Sequence, residues 1–399
     1  MLLFTNQSVR LRLFRNGLSI ICISLLAFLT ISGCKTRQLT SGRAFLDSSI
    51  VFAPGGEFAS MRIPALVMTK KGTLLAFCEG RIGTVSDWAD MDLLMRRSKD
   101  GGRTWEPNVV IAPRVSGQPT SNATPIVDEN GVIHLLYQRD YARAYYISSA
   151  DDGKTWSPPT DITYAFDAFR PEYDWKVLAP GPGHSIQLKN GRLLVPVWLS
   201  DPAKLKPRRS HAPSCIATIY SDDHGKTWKR GAIVANNSPE FMNPSETMAI
   251  ELNDGRVMLN IRNVSKDHRR GISYSNDGIS GWTKPIFDEE LFEPICMATI
   301  IRLHDKQNPA ILFINPDNQI SDGKPVPKYP RKNLTVKVSN DEGKSWPVRK
   351  VINPGPAGYS DVAVGPDGTI YCLYETNSDM GFNYTMVLKR FNMAWILQK

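Results

Sequence analysis

The chain has 399 residues, 42% of them hydrophobic and 22% charged, the balance of a globular protein long enough for one large β domain or two average ones. Its formal charge is +9, three units of which belong to Arg10, Arg12 and Arg15, and no run of five or more Lys/Arg occurs. A dispersed basic excess of this kind argues against nucleic acid; it suits an acidic substrate or surface, or is simply a basic exterior.

At the N-terminus the three arginines precede an apolar run, Leu18 to Ile31, closed by Ser32-Gly33-Cys34. This is the layout of a signal peptide, and the run is short of the ~20 residues a membrane span needs. The ending Ile31-Ser32-Gly33-Cys34 resembles the lipobox of bacterial lipoproteins, which implies lipidation of Cys34; a plain cleaved signal or an uncleaved anchor would use the same residues. The expected organisation is a signal peptide with lipobox over 1–34, a tether over 35–45, and a folded domain over 46–399. Several acyl chains on one cysteine hold a protein stably at a membrane, where one chain alone is marginal. Outside the leader, Cys78, Cys215, Cys296 and Cys372 are far apart, each in or beside an apolar run. Buried free thiols are expected, and no Cys/His spacing suggests a metal.

Beyond the tether one octet recurs: SKDGGRTW at 98–105, SADDGKTW at 149–156, SDDHGKTW at 221–228 and SNDEGKSW at 339–346. A further copy, SNDGISGW at 275–282, keeps the Ser, Asp and Trp but shifts the Gly. The octet has the chemistry of a β-turn. Its Asp can accept backbone N–H groups, its Gly supplies an angle other residues resist, and its Trp buries a large apolar face. Strand-like runs precede four copies, at Leu93–Met95, Tyr145–Ile147, Ile216–Ile219 and Val336–Val338. Asn-Gly or Asp-Gly turns at 130–131, 190–191, 254–255 and 367–368 mark further hairpins. Small antiparallel sheets recurring at this spacing predict radial repetition, and about 355 residues at a period of ~50–70 make roughly six units. The predicted fold class is therefore all-β, a six-bladed β-propeller, with no composition break that would separate a second domain. The octet Asp residues are read as structural.

The octet resembles the Asp-box of sialidases, and other segments are similar to that family, in the family's order, across residues 50–395. Met61-Arg62-Ile63-Pro64 resembles its R-I-P motif, although Met61 stands where an aromatic is common. GPGHSIQLKNGRLLVPVW (181–198) and NPSETMAIELNDGRVMLNIRN (243–263) resemble two further segments, the second carrying a Glu and an arginine. Arg331, ahead of the last octet, resembles the third arginine of a triad. GYSD (358–361) and LYE (373–375) match the nucleophile motif and the acidic residue that supports the triad. Six blades follow from the resemblance as well as from the repeats.

The resemblance implies an exo-α-sialidase that releases terminal α-linked sialic acids with retention, through a tyrosyl-enzyme intermediate, without cofactor or metal. Arg62, Arg262 and Arg331 are implied as the clamp on the substrate carboxylate, because guanidinium forks fit a carboxylate plane better than ammonium groups do. Glu375 is implied as the support of one guanidinium. Tyr359 is implied as nucleophile: a neutral phenol avoids bringing an anion to a carbon that already bears one, and a Tyr nucleophile is the known sialidase exception among retaining glycosidases. A phenol with a pKa near 10 needs a base, and Glu246 is implied in that role. For the acid/base, the loop Gly80–Asp92 offers Asp87, Asp90 and Asp92. Asp92 reads as the first residue of the next strand; Asp87, farther out, best matches the family's position, with Asp90 as the alternative. Trp88 lines the pocket or packs under the loop. Arg81 resembles the Arg of an E-x-R stretch and is expected near the sugar's 4-position, while His184 is read as non-catalytic. The implied partners are sialylated glycans, glycoproteins or glycolipids and, through the lipid, a membrane, but no nucleic acid; the expected state is an exported monomer, periplasmic or on the cell surface. Two other readings use the same residues: a hydrolase or trans-glycosidase for a related 2-keto-3-deoxy acid sugar, and a non-catalytic glycan-binding propeller.

Overall fold

Apolar runs bounded by Gly, Asp and Pro become strands, and almost nothing becomes helix. In the computed structural model the described residues are 43–202, 210–303, 309–318, 330–377 and 384–398. The expected signal peptide, Cys34 and the tether up to residue 42 lie outside them. Among the described residues there are twenty-five strands and two five-residue helices, Thr163–Asp167 and Met393–Leu397.

The strands form six antiparallel sheets, the blades of a β-propeller. Blades one to five are each continuous in sequence. They begin with the strands Phe58–Met68, Thr120–Val127, Val177–Pro180, Thr247–Glu251 and Thr299–Leu303. Blade six takes three strands from the C-terminal part, Ser360–Val364, Ile370–Asn377 and Tyr384–Phe391, and its fourth, Leu46–Phe52, from the N-terminal part. The ring is thus closed by a strand pair, Leu46 opposite Phe391, so one hydrogen-bonded ladder joins the two ends of the fold.

First strands of neighbouring blades contact one another around the axis. Second strands are sandwiched between adjacent blades, which explains why Leu193–Ser200 is apolar on both faces and buried throughout. Rim strands such as Val348–Pro356 mix buried and exposed positions. Six apolar clusters fill the six gaps between neighbouring blades. Between blades one and two, for example, Leu75 and Phe77 meet Leu135 and Tyr137.

All five octets connect a third strand to a fourth. In the second, Gly153 N donates to Ser149 Oγ at 3.0 Å and Thr155 Oγ1 to Asp151 Oδ2 at 2.7 Å. The backbone and hydroxyl bonds from Thr155 hold the Asp151 carboxyl below its ordinary range. The 275–282 copy makes the same closure one residue shorter, with Gly278 N on Ser275 Oγ and Ser280 Oγ on Asp277. The octet glycines meet a second demand that the local sequence does not display. At Gly102 (φ +76°) a Cβ would lie 2.3 Å from Leu388 Cδ2 of blade six, and at Gly225 (φ +81°) 2.4 Å from Tyr146 Oη of blade two. Each octet leans on the preceding blade. Blade six has no octet because no turn joins its third strand to its fourth. The four cysteines of the fold are buried and free.

Deleting residues 43–52 is expected to open the ring. Val51 and Phe52 are almost fully buried, and burial of such side chains is worth ~1.5–3 kcal/mol each. A urea titration should show a loss of at least about 3 kcal/mol in unfolding free energy.

Candidate active site

Antiparallel blades bring the starts of their first and third strands, and the ends of their second strands, to one mouth of the ring. Arg62 lies in the first strand of blade one, Glu246 just before that of blade four, and Tyr359 just before that of blade six. Arg81, Arg262 and Glu375 lie at or beyond the ends of second strands, and Arg331 precedes the third strand of blade five. A cavity of about 300 Å³ at this mouth is lined by Arg62, Arg81, Asp87, Glu246, Arg262, Arg331 and Tyr359. Glu375 lies just behind it. A larger cavity of about 540 Å³ opens at the other end of the axis, against Leu66, Ile250, Arg302 and Val362. It holds none of the expected catalytic or carboxylate-binding residues.

Tyr359 is buried at the centre of the site. Its hydroxyl donates to Glu246 Oε1 at 2.5 Å and accepts from Arg262 Nη1 at 2.6 Å. Arg262 Nη1 also donates to Glu246 Oε2. The guanidinium carbons of Arg62, Arg262 and Arg331 lie 5.5, 5.8 and 5.3 Å from the centre of the Tyr359 ring. Burial pushes the phenol pKa well above 10; Arg262 and Arg331 pull it down and Glu246 pushes it up, and the net shift is upward. The phenol therefore holds its proton, with a carboxylate oxygen in position to receive it.

Glu375, fully buried, grips Arg62 with both oxygens: Nε donates to Oε1 at 3.1 Å and Nη2 to Oε2 at 3.0 Å. The same carboxylate accepts the backbone N–H of Ile63 at 2.8 Å and that of Tyr359 at 3.2 Å. One side chain thus fixes both a clamp arginine and the residue read as nucleophile. Burial alone would lower the Arg62 pKa, but Glu375, Tyr359 and Asp87 more than reverse this and raise it.

Arg331 Nη2 donates to a carbonyl, Ile295 O, at 2.5 Å. Ile295 has a φ of +59°, a strained angle for a β-branched residue. Its turn is held by Arg270, fully buried, whose Nη1 donates to Glu293 Oε2 at 2.5 Å and to Cys296 O at 3.2 Å, while Glu293 Oε1 accepts Cys296 N at 2.9 Å. A salt bridge without access to solvent thereby supports the carbonyl that aims Arg331.

The three acidic residues of the 80–92 loop separate. Asp87 borders the cavity and meets Arg81 Nη1 at 2.9 Å and Arg62 Nη1 at 3.9 Å. Asp90 accepts Gly117 N at 2.7 Å, and Asp92 accepts Arg114 N at 2.7 Å. Burial pushes the Asp87 carboxyl up, but Arg81, Arg62 and His211 outweigh it and hold it low. Trp88 packs under the loop against Tyr141 and His211, at 4.7 and 5.1 Å between ring centres. Arg81 borders the cavity but is buried, with Glu79 Oε2 at 2.6 Å from Nη2 and Asp87 on Nη1. His184 lies away from this mouth, on Asp361.

Other lining residues carried no expectation: Asn122, Tyr141, Trp198, His211 and Asn243. Trp198 and Asn243 stand at the ends of matched segments, the one available signal; Tyr141 and His211 lie in none. Trp198 Nε1, His211 Nε2, Asn243 Oδ1 and Arg262 Nε are buried without a hydrogen-bond partner among the described residues. Unmet buried donors and acceptors around one cavity are what a polar ligand would satisfy.

Comparison with known proteins places this geometry. The family model described as a BNR repeat-like domain matches residues 72–372. A sialidase from Micromonospora viridifaciens is 30% identical over 432 residues, covering 96% of this chain and 60% of that protein. Sialidase-2 of Mus musculus is 31% identical over 352 residues, covering 79% of this chain and 89% of that protein. Among solved structures, a Hadza microbial sialidase superposes with a TM-score of 0.68 at 24% identity, over 84% of this chain and 66% of that one. The chain spans 60% of the length of the first two curated relatives it matches.

Replacing Arg81 by Gln is expected to raise the Asp87 pKa. The shift in the parent protein is downward from 3.8, so the stabilisation from the ion is complete above that pH and is lost as pH falls through the lower folded value. Carboxyl NMR titration of Asp87 in Arg81→Gln should give a midpoint above the parent's, and less stability should be lost as pH falls below 3.8.

Proposed function

The chain belongs to the sialidase family of BNR-repeat proteins, and from this premise we propose that it is an exo-α-sialidase, releasing terminal α-linked sialic acids from glycoconjugates by retaining hydrolysis. The observation that carries the reading is Tyr359 Oη, held between Glu246 and Arg262 with three guanidiniums around its ring. No aspartate or glutamate stands in that central position, and a phenol there suits an anomeric carbon that carries a carboxylate.

In this reading Arg62, Arg262 and Arg331 bind the substrate carboxylate and orient the sugar. Arg331 is the natural first partner, because its hydrogen bond goes to a neutral carbonyl. Glu246 takes the phenolic proton as Tyr359 Oη attacks the anomeric carbon, and Asp87 gives a proton to the departing glycosidic oxygen. Asp87 then removes a proton from water, which attacks the anomeric carbon and releases Tyr359 Oη, and Glu246 returns the phenolic proton; two inversions amount to retention. Asp87 must be protonated for the first step, yet Arg81 and Arg62 hold its pKa low. An arriving carboxylate offsets the charge of Arg62 and the sugar displaces water, so binding itself raises the Asp87 pKa toward that of an acid. Arg81 acts on Asp87 in this scheme rather than as a primary contact to the 4-position. The leader sequence supports an exported lipoprotein held at the membrane through Cys34, periplasmic or at the cell surface, acting as a monomer on sialylated glycans.

Tyr359→Phe is expected to abolish steady-state release from a fluorogenic sialoside while leaving the fold intact by circular dichroism; turnover at the parent's rate would sink the nucleophile assignment. Asp87→Ala should lose about 10²–10⁴-fold in kcat on a natural glycoside but far less on a substrate with a good leaving group. The same selectivity in Asp90→Ala instead would move the acid to Asp90. Identification of the released sugar distinguishes hydrolysis from transfer.

A further inference from the structure

One fully buried carboxylate has no part in this chemistry. Asp361, two residues beyond Tyr359, projects toward the axis from the first strand of blade six. Its Oδ2 accepts Leu66 N at 2.9 Å and His184 N at 2.8 Å. Its Oδ1 contacts His184 Nδ1 at 2.6 Å, Thr299 Oγ1 at 3.2 Å and its own neighbour Val362 N at 2.9 Å. Four blades, one, three, five and six, thus meet on a single side chain.

What the partners support gives this hub its meaning. Leu66 lies on the strand that carries Arg62. Between them the register with the next strand shifts, from Arg62 to Ala65, and Ile63 has a φ of +58°. That bulge aims Arg62, and it is bracketed by two carboxylates: Glu375 on Ile63 N above and Asp361 on Leu66 N below. Thr299 follows closely on the Ile295 turn that aims Arg331. Gly183, beside His184, comes so near that a Cβ there would lie 2.3 Å from Met297 Cε and 3.5 Å from Asp361 Cγ. A buried carboxylate is costly to desolvate, and apolar side chains of similar volume often serve stability as well.

We propose that Asp361 is a positioning residue for Tyr359: by tying the strand that Tyr359 leads into to three other blades across the axis, it sets the phenol against Glu246 and the arginine clamp. The proposal rests on the reading of Tyr359 as nucleophile. Glu375 still grips Arg62 when Asp361 is altered, so carboxylate binding persists while attack geometry is lost.

The test compares Asp361→Asn with Asp152→Asn, a change at another buried carboxylate that joins Thr69, Thr73 and Arg97 away from the mouth. Active sites are titrated so that kcat refers to folded enzyme only. Asp361→Asn is expected to lose about 10²-fold in kcat, the cost of a misplaced reacting group, with binding of free sialic acid little changed. The ¹³Cζ NMR signal of Tyr359, assigned by its disappearance in Tyr359→Phe, should move in Asp361→Asn and stay in Asp152→Asn. Both variants should melt at lower temperature. If Asp361→Asn loses melting temperature alone, with kcat per site and the Tyr359 signal as in the parent, the positioning role is overturned. Should Asp361→Asn not fold, His184→Gln and Thr299→Val each remove one contact; smaller losses of kcat with a displaced Tyr359 signal support the proposal, and parent values in both overturn it. If the parent protein releases no sialic acid, the sialidase reading falls, and the Tyr359 signal alone then decides the positioning.

Discussion

Four guanidinium groups share the mouth of this ring, and everything else at the site follows from how their charges are balanced. Like charges in a cavity with little water repel strongly, so each needs a counter-charge or a fixed dipole. Arg62 has Glu375, Arg262 has Glu246, and Arg81 has Glu79 and Asp87. The pairings are not interchangeable. Glu375 is fully buried and bonded on both oxygens, which suits a permanent support. Glu246 shares Arg262 with the Tyr359 hydroxyl, which suits a proton acceptor. Asp87, 41% exposed, sits on a loop at the border of the cavity, the place the proposed acid/base needs. Arg331, on a carbonyl, remains the cation most open to an anionic ligand.

The fold supplies this balance by bringing distant segments to one end. Arg62 and Glu375 are 313 positions apart yet occupy adjacent blades, because the ring closes between blades six and one. The seam therefore runs through the site. Closure is secured at the rim by the strand pair of Leu46–Phe52 with Tyr384–Phe391 and at the axis by Glu375 and Asp361. Stability of the ring and geometry of the site draw on the same contacts.

Legibility in the sequence followed the range of the interactions. The octets were legible because their hydrogen bonds run between residues two to four positions apart, so the pattern is written in consecutive residues. Glu246 and Arg262 were legible as a pair because they flank one hairpin, with Arg262 N directed to Glu246 O. The preference for Asp87 over Asp90 rested on the family's spacing; in the structure Asp87 borders the cavity while Asp90 accepts Gly117 N. Arg270 and Glu293 gave no signal, because a buried ion pair between residues 23 apart looks like any surface pair in sequence. Likewise the octet glycines announced a turn but not the neighbouring blade against which they press, and His211 and Tyr141 reach the cavity from outside the motifs read in the sequence.

The seam also has a meaning in time. A growing chain delivers Arg62 early and Glu375 only after 313 further positions, about 15–60 s later at ordinary rates of synthesis. Until then the arginine has no fully buried counter-charge; Tyr359 arrives only 16 positions ahead of Glu375, and the strand Leu46–Phe52 waits longer still, for Tyr384–Phe391. A chain that stops short of the seam therefore lacks a completed site, however much of the ring has already formed. In the proposed reading, the chemistry begins only where the circle is completed.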